Sequence, residues 1–145
     1  MPPLPREVFF SHASADRLVA NRLTELLTGH GIPVWYSRRN ILGARQWHDE
    51  IKAAFDRCDW FLVLLTPSAV ASMWVKRELL YALQQERFEN QIIPVIAESC
   101  PYDRLSWTLS LFQTIDLTRS FEAGARELLR VWGVGYRSDV RTDSA

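Results

Sequence analysis

At 145 residues, with 48% hydrophobic and 23% charged side chains, the chain has room for one core and the composition of one globular domain. Its 17 basic residues balance 17 acidic ones, so nothing recommends a nucleic-acid or anionic membrane partner. No apolar run approaches the roughly 20 residues of a spanning helix, and MPPLPREV has no signal-peptide core, so a cytoplasmic location is expected.

In chain order, residues 7–11 (EVFFS) read as a short strand that runs into SHASAD. There Ser14 is suited to cap a helix starting at Ala15 and burying Val19, Leu23, Leu26 and Leu27. His30-Gly31 ends that helix, glycine being suited to the left-handed C-terminal position. Residues 32–37 (IPVWYS) form a second strand, followed by the polar loop RRNILGARQ and a helix with Trp47, Ile51, Ala54, Phe55 and Cys58 on one face. Residues 60–66 (WFLVLLT) are almost continuously apolar, as in a parallel strand covered on both sides.

Pro67-Ser68 then opens one long helix that carries Glu78. Residues 91–97 (QIIPVIA) are a fourth strand, against which Pro94 counts because it removes a ladder donor. Residues 101–111 have weak helical character, and residues 114–117 (TIDL) make a fifth strand. The last helix buries Phe121, Ala125, Leu128, Leu129 and Trp132. Residues 1–135 thus read as one domain and residues 136–145 as a polar tail or linker. Cys58 and Cys100 have neither CxxC nor metal-ligand spacing, and reduced thiols are expected.

Alternating strands and helices imply an α/β fold: right-handed crossovers and a parallel sheet with helices on both faces. Ligands of such sheets sit beyond the carboxyl ends of the strands, which directs attention to SHASAD, SRRNILGARQW and TPSAVASMW. The dinucleotide fingerprint, the phosphate loop and the nucleophile elbow are absent, and Thr66-Pro67 stands where a phosphoacceptor aspartate would be needed. His12, His30 and His48 are scattered, so no metal site is expected.

The groups left on the three loops are Ser11, His12 and Ser14; Arg38, Arg39, Arg45 and Trp47; and Trp74 and Glu78. Each also has an ordinary reading. Ser14 is a cap, the arginines a solvated loop, the tryptophans core, and a lone glutamate solvated. Yet SMWVKRELLYAL places Glu78 one turn after Trp74 and one turn before Tyr81 and Ala82, on what looks like a packing stripe.

FFSHASAD, the loop after IPVWYS, WFLVLLTPSAVAS, MWVKREL and IIPV, in this order, resemble a TIR (Toll/interleukin-1 receptor) domain of the prokaryotic NAD+-consuming type, over residues 6–134. The resemblance implies a flavodoxin-like three-layer domain with five parallel strands in the order 2-1-3-4-5. It also implies an NAD+ nucleosidase, a glycohydrolase or ADP-ribose cyclase that cuts the nicotinamide–ribose bond as an effector in bacterial immune or antiphage signalling. In the enzymatic branch a glutamate follows a tryptophan by four residues, and Glu78 after Trp74 matches, although Val75 stands where many relatives have cysteine.

The family's nucleotide-contacting first loop maps onto Phe10, Ser11, His12 and Ser14, and its BB loop onto residues 38–47, from Arg38 through Arg45 to Trp47. The arginines are suited to a diphosphate; Phe10 and Trp47 can stack a base, and both also fit the core. NAD+ is the expected substrate, with no cofactor. Self-association through the BB loop, and a sensor domain, fused or separate, complete the expected partners. Two other readings stay open: a non-catalytic TIR–TIR adaptor module, and a flavodoxin-like nucleotide or flavin binder.

Overall fold

The computed structural model describes residues 3–36 and 44–140, residues 44–47 by backbone alone. The described elements are β1 (Val8–Ser11), α1 (Arg17–Gly29), β2 (Val34–Tyr36), α2 (Ala44–Arg57), β3 (Trp60–Leu65), α3 (Pro67–Val70), α4 (Met73–Leu83), β4 (Ile92–Ile96), β5 (Ile115–Asp116) and α5 (Phe121–Val131). The strands form one parallel sheet in the order β2-β1-β3-β4-β5, as the alternation and the resemblance require.

The two-residue period of a strand sorts side chains between the layers. Val8, Phe10, Leu62, Leu64, Ile93 and Val95 join α1 and α5 in one buried cluster. Phe9, Phe61, Val63 and Leu65 join α2, α3 and α4 in the other. Ser11 follows Phe9 by two residues and so shares its face, the α4 side, whereas Phe10 faces α1 and α5.

Several local expectations are corrected. Ser14 heads a 3-10 turn, Ser14–Asp16, without a side-chain capping bond, and α1 begins only at Arg17. The Asp16 carboxylate accepts instead from the Thr66 hydroxyl, whose oxygen in turn accepts from Ala69 N at 3.0 Å and caps α3. Ala20, not Val19, is buried on α1, while Val19 is 37% exposed. Gly31 has φ of +84°, the left-handed stop expected after α1.

The helix expected to run on from Pro67 is two helices, because Ser72 is extended and its Oγ accepts from Val75 N at 3.2 Å, starting α4 afresh. Pro94 sits inside β4 at little cost. Ala97 N donates to Leu65 O and Leu117 N to Ile96 O, so alternation turns the Pro94 nitrogen toward β5. There β5 pairs only from Ile115 opposite Val95, and no ladder bond is lost. Residues 101–111 form two 3-10 turns, Tyr102–Arg104 and Trp107–Leu111.

Past Gly135 the chain lies against the end of α1. Tyr136 stacks on His30 with ring centroids 5.9 Å apart, and Arg137 N donates to His30 Nε2 at 2.9 Å. His30 Nδ1 meets Leu26 O at 2.7 Å, so it is the protonated nitrogen and Nε2 the acceptor. Among the described residues no helix is long and apolar enough to cross a membrane.

Candidate active site

The inward stripe of α4 is Val75, Glu78, Leu79 and Ala82, an i, i+3, i+4, i+7 spacing with a carboxylate in it. Glu78 is 3% exposed, almost as dry as its neighbour Leu79. A buried ionisable group needs hydrogen bonds, and Ser11 supplies one: its hydroxyl donates to Glu78 Oε1 at 2.6 Å, across 67 residues of sequence. Ser11 is fully buried, ends β1 and pairs in register with Val63 of the central strand β3, so the donor is fixed to the interior of the sheet.

Beside this pair opens a cavity of about 250 Å³ between α2 and α4. Two facing helical stripes build it, each with i, i+3, i+4, i+7 spacing: His48, Ile51, Lys52 and Phe55 from α2; Trp74, Arg77, Glu78 and Tyr81 from α4. Phe55 meets Tyr81 at 4.6 Å between ring centroids and stacks on Phe9 at 4.0 Å, which anchors the floor to the sheet. His48 stands edge-on to Trp74 at 6.4 Å, and the Arg77 guanidinium lies over the Trp74 ring, 5.0 Å from its centroid. The Lys52 ammonium pairs with the Asp56 carboxylate at 3.0 Å, which holds its pKa above the usual lysine value, chiefly by the hydrogen bond. The whole is an aromatic-walled pocket with a carboxylate in its wall and cations at its rim.

Of the residues marked in the sequence, the structure brings Ser11, Trp74 and Glu78 together. Phe10 is a fully buried core residue among α1 and α5, on the far side of the sheet from Glu78, because strand alternation turns it there. His12 is buried near it, with ring centroids 5.5 Å from Phe10 and 5.7 Å from Tyr36, and does not line the cavity. Ser14 is exposed on its turn. Arg38 and Arg39 lie outside the described residues, as do the side chains of Arg45 and Trp47.

Sequence reasoning passed over His48, Lys52, Arg77 and Tyr81 as pocket residues and gave Phe55 a packing role only. The signal was available in the matching stripes, 48/51/52/55 and 74/77/78/81, but it becomes a pocket only once α2 and α4 are known to face each other. Among the described residues no three His, Cys, Asp or Glu side chains are grouped to hold a metal ion.

The family model described as TIR domain matches residues 8–129, nearly all of the folded chain. The chain belongs to the TIR domain family. Solved structures agree with that placement. The TIR domain of the Toll-related receptor TRR-2 from Hydra magnipapillata superposes with a TM-score of 0.68 at 21% identity, covering 86% of this chain and 95% of that one. The TIR domains of the activated Roq1 resistosome give a TM-score of 0.68 at 16% identity over 87% and 98% of the two chains. A diflavin flavoprotein A3 from Nostoc sp. follows at 0.51 and 16% identity over 86% of each chain, the flavodoxin-like kinship of the TIR fold. No curated protein sequence matches. At these identities the neighbours speak to the fold of this TIR domain alone.

Proposed function

We propose that this TIR domain cleaves the nicotinamide–ribose bond of NAD+, with Glu78 as the catalytic carboxylate. The observation that carries the reading is a 3% exposed glutamate in the wall of an aromatic pocket between α2 and α4. A carboxylate serving only solubility has no reason to be there.

The chemistry suits one acidic side chain. O-glycosidases need a second carboxyl group to protonate a leaving alkoxide. Nicotinamide instead departs neutral from a cationic pyridinium: the C1′–N bond breaks, its electron pair stays on nitrogen, and the ribose carbon is left oxocarbenium-like. Glu78 stabilises that positive charge, strongly because the site is poorly screened. Water adds to C1′ and releases a proton, giving ADP-ribose, nicotinamide and H+; attack at C1′ by a nucleophilic atom elsewhere in the same molecule gives a cyclised product. NAD+ is consumed, and no cofactor takes part.

The cavity is smaller than the roughly 300–1,000 Å³ of a complete ligand pocket, so it suits the reacting nicotinamide–ribose end. Trp74, Tyr81 and Phe55 offer π faces to the pyridinium cation. Arg77 and Lys52 at the rim, with Arg38 and Arg45 of the BB loop, offer charge to the diphosphate. We place the activity in the bacterial cytoplasm, as the effector step of immune signalling, with BB-loop contacts between copies and a sensor domain, fused or separate, governing it.

A second reading, an assembly module without catalysis, draws support from the apolar surface of the Trp107–Leu111 turn, where Trp107 is 72% and Leu111 73% exposed. Nicotinamide release from NAD+ by purified, oligomeric protein separates the two. The enzyme reading expects release by wild type and none by Glu78→Ala at a matched Tm; release by neither favours the assembly module, and equal release by both removes Glu78 from the catalytic role.

A further inference from the structure

We propose that Ser11 is a positioning residue for the reaction, holding the Glu78 carboxylate in its ionised form and aiming it at the ribose, and does not contact the substrate. The inference rests on the NAD+-cleaving reading. It differs from the role that the TIR resemblance implies for Ser11, a nucleotide contact in the first loop.

Three observations converge. The Ser11 side chain is fully buried and presents no surface to a ligand. Its hydroxyl donates to Glu78 Oε1 at 2.6 Å, the length of a charge-assisted O–H···O− bond. The two partners also differ in mobility by construction. Ser11 ends β1, an interior strand of the sheet, in register with Val63 of the central strand β3, whereas Glu78 is carried on α4 by a side chain with three rotatable bonds. The strand therefore fixes the carboxylate.

A donor to an ionised carboxylate favours that form over the protonated one. His48 and Lys52 of α2 and Arg77 and Tyr81 of α4 line the same cavity and are unchanged by a substitution at Ser11. Without the Ser11 donor Glu78 takes up a proton at higher pH, and the remaining ionised fraction is less well aimed. Both effects fall on the chemical step and leave substrate binding largely alone.

Nicotinamide release is measured across pH for wild type, Ser11→Ala and Ser11→Thr. Ser11→Ala is expected to lower kcat by about 10- to 100-fold, the range for a hydrogen bond to a charged group. KM should change little, and the acid limb of the pH–rate profile should move to higher pH. Ser11→Thr retains the hydroxyl and restores the wild-type limb. A substrate contact would instead raise KM, and a purely structural role would lower Tm without moving the limb; either result overturns the proposal. Should Ser11→Ala not fold, Ser11→Cys, nearly isosteric and a weaker donor, is read by the same criterion. Absence of turnover by wild type overturns the underlying reading itself, whereas turnover with an unmoved limb in Ser11→Ala sinks only the role of Ser11.

Discussion

Replacing Glu78 with glutamine tests the central physical claim, because it removes the charge and almost nothing else. The amide has the carboxylate's shape, and its oxygen can still accept from Ser11, which donates to Oε1 at 2.6 Å in the parent. A negative charge about 4 Å from the oxocarbenium carbon contributes about 1 kcal/mol in water but about 4 kcal/mol at the effective dielectric of a protein site. At 3% exposure the second case applies. Glu78→Gln should therefore lower kcat for nicotinamide release about a thousandfold, against about fivefold for a solvated carboxylate. Release is followed by chromatography, with Tm measured on the same samples. Tm should stay within about 5 °C, since a buried charge is exchanged for a neutral group of equal volume. A loss smaller than about tenfold in a folded variant would mean that Glu78 is not the electrostatic partner of the reacting sugar.

Gly124 of α5 allows the helix to approach β5: a Cβ there would lie 2.4 Å from Leu117 Cδ2 and 2.6 Å from Asp116 O. Gly124→Ala should cost about 1–3 kcal/mol in urea unfolding; an unchanged midpoint would contradict the tight contact. Burial pushes the Cys58 thiol up to about 12, while Cys100 is half-buried and raised too, chiefly by desolvation. Thiolate, the reactive form, appears only as pH nears the thiol's pKa, so at pH 8 Cys58 stays protonated. Peptide mapping after iodoacetamide should find Cys100 labelled first and Cys58 only on unfolding. His30→Ala removes both the Nδ1 bond to Leu26 O and the Nε2 acceptor for Arg137 N. Trypsin should then cut after Arg137 sooner than in wild type; an equal rate would show that the segment is held by other contacts.

Much of the fold was legible because strand alternation and helical stripes are local consequences of burial. The runs EVFFS, WFLVLLT and QIIPVIA marked three of the strands within a residue or two of their ends. Errors came where the decisive partner is distant in sequence. Ser14 does not cap a helix at Ala15: residues 14–16 form a 3-10 turn whose Asp16 carboxylate meets Thr66, and α1 begins only at Arg17. Pro94 looked like a fault in a strand only because the late start of β5 cannot be seen from residues 91–97. Ser72 was the exception: it could have been recognised as a second cap from its neighbours alone.

By itself the sequence determined the layers, the parity that turns Phe10 and Ser11 to opposite faces, and the presence of a glutamate four residues after Trp74, all functions of spacing along one chain. The tertiary structure alone decided what surrounds that glutamate. Burial, the Ser11 hydroxyl and the aromatic wall come from β1, α2 and α4, which are far apart along the chain. The strength of a charge depends on the dielectric and donors around it, and those are properties of packing in space.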